Sequence, residues 1–196
     1  MPATYLYTMN EIPTVKTYCD YVETLDQHNV HKIYHDNEYG FPIENDDGLF
    51  ARLVLEINQA GLSWDTILKK KNNFFKAYDN FDIKAVAKFN SKKFDSLMQD
   101  PGIIRNRLKI NAAIENAKVI AQLQKEFGSF KKWIEQHYPK SREEWVRLFK
   151  KHFKFTGGEI VNEFLMSTGY LPGAHSPSCR IFKEITRKKP MWMNLK

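Results

Sequence analysis

The sequence has 196 residues, of which 42% are hydrophobic and 14% aromatic, and 30 Lys and Arg against 23 Asp and Glu give a net charge of +7. This composition excludes a disordered chain, and two cysteines are too few for a disulfide-rich secreted scaffold. There is no signal-peptide pattern and no apolar run of about 18 residues, so we expect a cytoplasmic protein with no membrane partner. The positive charge favours an anionic partner such as nucleic acid, although charge spread evenly for solubility would give the same total.

Apolar residues recur every three or four positions through most of the chain, which predicts an all-α fold. In chain order, the spacing and capping residues predict helices over 46–60, 63–78, 82–89, 91–99 and 104–125, one that opens at Ser141, and one from Gly158 to about Gly169. No Pro/Gly-rich linker interrupts the pattern. We therefore expect a single domain over 1–196, with an N-terminal extension at 1–17 and a loosely held basic tail at 187–196.

Glu56 lies on the apolar face of the 46–60 helix, three residues after Leu53 and four before Ala60. An unpaired buried carboxylate is costly, so this position predicts either a salt bridge with Arg52, one turn earlier, or a functional role. Trp64 follows shortly beyond the end of the same helix. A carboxylate beside an indole ring suits a flat, cationic ligand.

The segment DPGIIRNR (100–107) joins two predicted helices, and we interpret 91–125 as a helix-hairpin-helix region. Free N–H groups at the start of the second helix can bind a phosphate, and Gly102 lets a phosphate approach the backbone closely. Arg105, Arg107 and Lys109 add three cations, so we expect this hairpin to contact a DNA backbone without reading its sequence. The alternative is an ordinary turn with solvated basic residues. Leu108 is expected to face inward.

Four residues could form a closed Cys₂His₂ zinc site that ties the N-terminal segment to the C-terminal one. His175 and Cys179 are four residues apart, a spacing that can chelate, and Cys19 and His35 lie upstream. Spacing alone favours the alternative of free buried cysteines and surface histidines. Four protein ligands would leave no position for a water molecule, which argues against a zinc hydrolase.

Four segments together resemble the DNA-3-methyladenine glycosylase I (Tag) family of the helix-hairpin-helix glycosylase superfamily. They occur in the family's order and are YHDNEYG (34–40), LEINQAGLSWDTILKK (55–70), DPGIIRNRLKI (100–110), and FKFTGG with GYLPGAHSPSC (153–158 and 169–179). The resemblance implies compact helical lobes and one structural Zn²⁺ per chain. Its implied ligands are Cys19, His35, His175 and Cys179.

The resemblance also implies a base pocket with Glu56 as its catalytic residue and Tyr34 and Trp64 as its walls. Tyr21 and His31 stand at substrate-binding positions where the family usually has Trp and Tyr.

At the DNA surface, the resemblance implies that Gly61 and Leu62 fill the gap left by an extruded nucleotide. Gly102 and its hairpin would hold the backbone. Tyr39 replaces a further Trp of the family pattern, and the segment between Trp133 and Phe153 is shortened.

The implied activity is base-excision repair: a monomer flips a nucleotide out of double-stranded DNA and hydrolytically releases N3-alkylated adenine. No lysine stands out as a Schiff-base nucleophile, so we expect no lyase step. The family is thought to lack the superfamily's catalytic aspartate, and the segment after Gly158 has Glu159 and Glu163 but no Asp. The alternative is a catalytically weak or silent protein of the same fold that binds DNA lesions.

Overall fold

The structure, a computed structural model, describes residues 17–194 and contains only helices and loops within that range. The predicted extension at 1–17 lies outside the described residues, apart from Thr17. The α-helices, in chain order, are α1 (Tyr18–Glu23), α2 (Val30–Asn37), α3 (Asp46–Gln59), α4 (Trp64–Ala77), α5 (Ile83–Val86), α6 (Ser91–Gln99), α7 (Arg107–Phe127), α8 (Phe130–Gln136), α9 (Arg142–His152), α10 (Gly158–Ser167) and α11 (Arg180–Arg187). Two 3₁₀ turns cover Asp79–Phe81 and Met191–Asn194. The all-α prediction is confirmed.

The long helix α7 begins three residues later than the apolar spacing predicts. The side chain of Asn106 caps it by accepting hydrogen bonds from the amides of Leu108 and Lys109. In this register Leu108 is 67% exposed and Lys109 turns inward, so the expectation of an inward-facing Leu108 is wrong.

Helix α3 lies at the centre of the molecule, and every residue from Leu49 to Asn58 is buried. It packs against α4, α7, α8 and α10, which supply most of the surrounding apolar side chains. Because α3 is enclosed on all sides, Glu56 is carried into the interior together with its apolar neighbours. Within residues 17–194, none of the helices combines the length and the apolar character that crossing a bilayer requires.

A second, smaller core joins the two ends of the described chain. Cys19 of α1 packs with Cys179, Ile181 and Ile185 of the α11 region. Part of the tail packs on α11, where the ring of Trp192 lies 6.1 Å from that of Phe182.

Gly40 fixes the loop between α2 and α3 against the end of α10. Its φ of +78° lies in the left-handed region, and its N–H donates to the carbonyl of Ser167 at 2.9 Å. A Cβ at this position would lie 2.7 Å from Cβ of Ala174. Gly61 has a similar φ of +79°, but a Cβ there would meet nothing within 4 Å.

We expect Gly40→Ala to destabilise the protein much more than Gly61→Ala. Both variants carry the backbone cost of a left-handed alanine, about 1 kcal/mol, whereas Gly40→Ala adds an overpacking cost of about 1–3 kcal/mol. Urea unfolding of the two variants and the wild type measures the difference. Equal losses would contradict the close packing at Gly40.

Candidate active site

A cavity of about 720 Å³ opens between α1, the α2–α3 segment, α4 and α10. Its lining combines four aromatic rings, three glutamates and the glycines of two loops. These residues are Tyr18, Tyr34, Tyr39, Glu56, Gln59, Ala60, Gly61, Trp64, Gly157, Gly158, Glu159, Ile160 and Glu163. No Lys, Arg or His lines it in the part of the chain that the structure describes, although the protein is basic overall. Rings and carboxyl groups together suit a flat ligand that carries positive charge.

Glu56 lies at the floor of this cavity and is only 5% exposed. Burial raises the pKa of its carboxyl group to about 8; Arg52 opposes this rise and the nearby Glu163 adds to it. The hydroxyl of Ser167 lies 3.5 Å from Glu56 Oε1. This pKa favours the neutral acid at pH 7, and a cationic ligand beside the carboxyl group would favour its ionisation.

Arg52 does not neutralise Glu56. Its guanidinium pairs with Glu38, with 3.3 Å between Nη2 and Oε2, and donates to the hydroxyl of Tyr34 at 2.6 Å. Among the described residues, no ion pair joins Arg52 to Glu56, so the salt-bridge interpretation is wrong. Arg52 instead holds one ring of the cavity in place.

Two aromatic side chains predicted from the sequence form one wall. Tyr34 is 3% exposed, and its ring lies 5.1 Å from that of Trp64 at an angle of 64°. Tyr39 lies 5.5 Å from Tyr34 on the other side. This wall is held from behind by Arg52, so it is in place before any ligand arrives.

Tyr21 and His31 do not line the cavity, and their contact with the substrate stays a prediction. Tyr21 is 45% exposed and stacks on Tyr18 with ring centres 6.3 Å apart. His31 Nδ1 lies 3.0 Å from the hydroxyl of Tyr18, and its Nε2 lies 3.6 Å from Asp65. Tyr18, which the sequence did not single out, is the residue that reaches the cavity, and the two predicted residues support it from outside.

Two loops form the mouth of the cavity, and each exposes an apolar side chain beside it. Gly61 lines the mouth, and the adjacent Leu62 is 38% exposed. Gly157 lines the other side, and Phe155, two residues earlier, is 40% exposed with a φ of +59°. The sequence identified the first loop, but it did not identify the second as part of the mouth.

Lys109 is not available to DNA. Its side chain is 4% exposed, and Nζ donates to the carbonyls of Asn58 at 2.8 Å and Ala60 at 2.6 Å. These carbonyls lie at the end of α3 and otherwise lack helical partners. The prediction of a phosphate contact is wrong for Lys109, because the ammonium group closes the end of α3 and positions the Gly61 loop.

The hairpin between α6 and α7 differs from the prediction at Gly102 as well. The Gly102 N–H is not free, because it donates to Asp100 Oδ1 at 2.7 Å. A Cβ at Gly102 would lie 3.2 Å from Asn73 Cβ, so close packing accounts for this glycine. Arg105 and Arg107 are exposed, as a DNA contact requires.

Cys19, His35, His175 and Cys179 come together as a buried cluster, and their ligand atoms all lie within 4.8 Å of one another. His175 Nδ1 lies 3.8 Å from Cys19 Sγ and 3.4 Å from Cys179 Sγ, and His35 Nε2 lies 3.7 Å from Cys179 Sγ. A tetrahedral zinc ion with Zn–S of about 2.3 Å and Zn–N of about 2.0 Å sets S···N separations of about 3.5 Å. The three S···N distances are close to this value.

The second nitrogen of each imidazole is already bound, which fixes which nitrogen faces the cluster. His35 Nδ1 lies 2.8 Å from Asp36 Oδ1, and His175 Nε2 lies 2.8 Å from the carbonyl of Tyr39. Outer hydrogen bonds of this kind orient metal-binding histidines. Burial lowers the pKa of His175 to about 4, so its ring is neutral at pH 7, as metal binding requires.

Comparison with known proteins matches residues 24–149 to a family model described as methyladenine glycosylase. DNA-3-methyladenine glycosylase of Haemophilus influenzae is 41% identical over 101 residues, which cover 52% of this chain and 55% of that protein. DNA-3-methyladenine glycosylase 1 of Escherichia coli is 34% identical over 165 residues, which cover 74% of this chain and 88% of that protein. The chain thus spans about half of the first relative and most of the second.

The fold is also similar to a solved structure. 3-Methyladenine DNA glycosylase I from Staphylococcus aureus, whose structure describes recognition of 3-methyladenine, superposes with a TM-score of 0.73 at 29% identity. The match covers 80% of this chain and 93% of that one.

We expect Glu56→Gln to stabilise the protein increasingly as the pH rises from 5 to 8. Since the native pKa of about 8 lies above the ordinary value of 4.5, the native state binds more protons between these values, and wild-type stability falls as pH increases. The free energy of unfolding of Glu56→Gln should exceed that of the wild type by on the order of 2–4 kcal/mol at pH 8. Urea unfolding across this pH range measures it, with the exposed Glu184→Gln as the control. A gain independent of pH would contradict the raised pKa.

Proposed function

The chain belongs to the methyladenine glycosylase family, and from this membership we infer that it is a DNA glycosylase that releases 3-methyladenine from alkylated DNA. Glycosylases hydrolyse the N-glycosyl bond between base and sugar. The observation that supports this substrate most directly is the buried Glu56 carboxyl group at the floor of a cavity with aromatic walls and no lining cation.

The cavity selects for positive charge on a flat ring. Methylation at N3 makes the adenine of a nucleotide cationic, and a flipped base of this kind would lie between the rings with its charge near Glu56. Its charge would lower the pKa of Glu56, so the carboxylate can accept hydrogen bonds from the base. A normal adenine is neutral, and it would leave Glu56 protonated without the gain in charge pairing.

Cleavage follows from the same charge. A cationic base is already a good leaving group, so it needs no strong acid to protonate it. When the N-glycosyl bond breaks, the bonding electrons neutralise the base and the pairing with Glu56 weakens, which favours product release. Water completes the reaction at C1′. No lysine lines the cavity among the described residues, and we propose a monofunctional enzyme without a lyase step.

Contact with the duplex is proposed for the two loops at the mouth and for the exposed arginines. Leu62 and Phe155 can occupy the space that a flipped nucleotide leaves in the stack. Arg105 and Arg107 can bind phosphates without reading sequence. Arg107 also lies over the ring of Phe94, with 5.2 Å from Cζ to the ring centre, which restricts where it can reach.

A structural zinc ion is proposed for the Cys19, His35, His175 and Cys179 cluster, one per chain. Four protein ligands would complete a tetrahedral site, so the ion would tie the two ends of the chain together. Tyr39 connects this site to the cavity, because its carbonyl binds His175 while its ring lines the cavity.

We further propose that the protein acts as a monomer in the cytoplasm of a bacterial cell, where its substrate DNA is found. Flipping one nucleotide requires one pocket and one contact surface, and both are supplied by a single chain.

The function is tested by measuring release of 3-methyladenine from N-methylated duplex DNA. We expect release by the wild type and a loss of about 10–100-fold in kcat/KM for Glu56→Gln, which is the contribution of a hydrogen bond to a charged group. Glu184→Gln, exposed and remote from the cavity, should keep the wild-type rate.

Equal release by the wild type and Glu56→Gln would refute the pocket assignment. A wild-type protein that binds a duplex with an abasic site but releases no base would instead be a silent lesion-binding protein.

For the metal, we expect about one zinc per chain in protein purified without chelators. Cys179→Ser should lower the zinc content and the melting temperature, because the closed site loses a ligand. Elemental analysis and thermal unfolding measure the two effects, with Ser178→Ala as a neighbouring control. Metal-free protein of unchanged stability would exclude the zinc site.

A further inference from the structure

Glu163 is a second carboxyl group inside the cavity, and recognition of the base by Glu56 does not use it. It belongs to α10, its side chain is partly buried, and Oε2 accepts a hydrogen bond of 3.5 Å from the hydroxyl of Tyr39. The other oxygen, Oε1, has no hydrogen-bond donor among the described residues. Glu163 is therefore oriented on one side and available on the other.

Glu163 lies on the face of α10 that lines the cavity, between an exposed residue and a buried one. Glu159 stands at the rim with its side chain 84% exposed, whereas Ser167 is fully buried and lies 3.5 Å from Glu56. Glu163 is midway between them, four residues from each. At 1.5 Å per residue this places it about 6 Å along α10 from Ser167, the residue beside Glu56.

A flipped base in contact with Glu56 would present its sugar towards Glu163, because both carboxyl groups line the same cavity and Glu163 lies between Ser167 and the exposed Glu159 on α10. The two carboxyl groups would then meet different charges during the reaction. Glu56 faces the base, whose positive charge disappears as the bond breaks. Glu163 would face C1′, where positive charge develops in the transition state. Only an interaction that strengthens in the transition state accelerates the reaction, and Glu163 is the group in a position to provide it.

We propose that Glu163 is a catalytic residue that binds the attacking water and accepts its proton. This inference rests on the proposed glycosylase function. The bond from C1′ to the base nitrogen breaks, and its electron pair stays with the base, which leaves neutral. The water oxygen bonds to C1′, and its proton passes to Oε1 of Glu163 and then to solvent. The sugar keeps a hydroxyl group at C1′.

The arrangement of the neighbours supports this role. The Tyr39 hydroxyl engages Oε2, which leaves Oε1 to face the water. Arg142, the nearest cation on α9, is paired with Glu159 at the rim, so it does not occupy the cavity. A cavity of about 720 Å³ has room for a purine and a water molecule together.

The experiment compares Glu163→Gln with the wild type in two assays: single-turnover release of 3-methyladenine from N-methylated duplex DNA, and binding of free 3-methyladenine. We expect the rate to fall about 100-fold, the lower end of the range for proton transfer by a positioned side chain. Binding of the free base should stay within about 2-fold, because the water side of the site is not used in that equilibrium. Glu56→Gln should lose both, and Glu184→Gln neither.

A second variant separates chemistry from structure. Glu163→Ala leaves space for a small acid, so added sodium formate should restore part of the rate relative to sodium chloride at equal ionic strength. Thermal unfolding of both variants establishes that they are folded.

Wild-type rates in Glu163→Gln, a parallel loss of free-base binding, or no response to formate would overturn the catalytic role while leaving the glycosylase function intact. A wild-type protein that releases no base overturns both proposals.

Discussion

A carboxyl group that is removed from water and has no cation paired with it is costly to ionise, and the packing around Glu56 keeps it buried and unpaired. Helix α3 is enclosed by its neighbours, so Glu56 cannot turn to solvent. Arg52, the cation that could neutralise it, is engaged by Glu38 and Tyr34. A ligand that carries positive charge would offset the cost of ionising Glu56. The selectivity of the cavity and its cost to the fold therefore have the same physical origin.

The sequence predicted the fold class and several of the longer helices, because α3, α4 and α9 each combine a clear apolar spacing with a capping residue. It did not define α1, α2, α8 and α11, whose six to eight residues are too short for a periodic pattern to stand out. The expectation that Leu108 faces inward was wrong because an apolar residue in the helical pattern was assumed to be buried. The carbonyls at the end of α3 need a donor, and that need turns Lys109 inward instead.

The site residues that could be anticipated were those with a chemical anomaly or a family pattern: a carboxylate on an apolar face, an adjacent Trp, and paired Cys and His. Tyr18 gave no such signal, because it reaches the cavity only through the packing of α1 against His31. From the sequence, Glu163 could be recognised only as an acidic residue in a predicted helix. Its depth depends on how α10 lies against α3, and that relation is tertiary. Spacing along the chain cannot supply it.

The cysteine–histidine cluster joins residues that are synthesised at very different times. Cys19 and His175 are separated by 156 positions, so during synthesis the first partner leaves the ribosome long before the second. The carbonyl of Tyr39 can bind His175 only after residue 175 has left the ribosome. During most of translation the nascent chain therefore lacks the contact between Tyr39 and His175. The bond that holds the backbone of Tyr39, one of the cavity's rings, therefore depends on a residue 136 positions later in the chain.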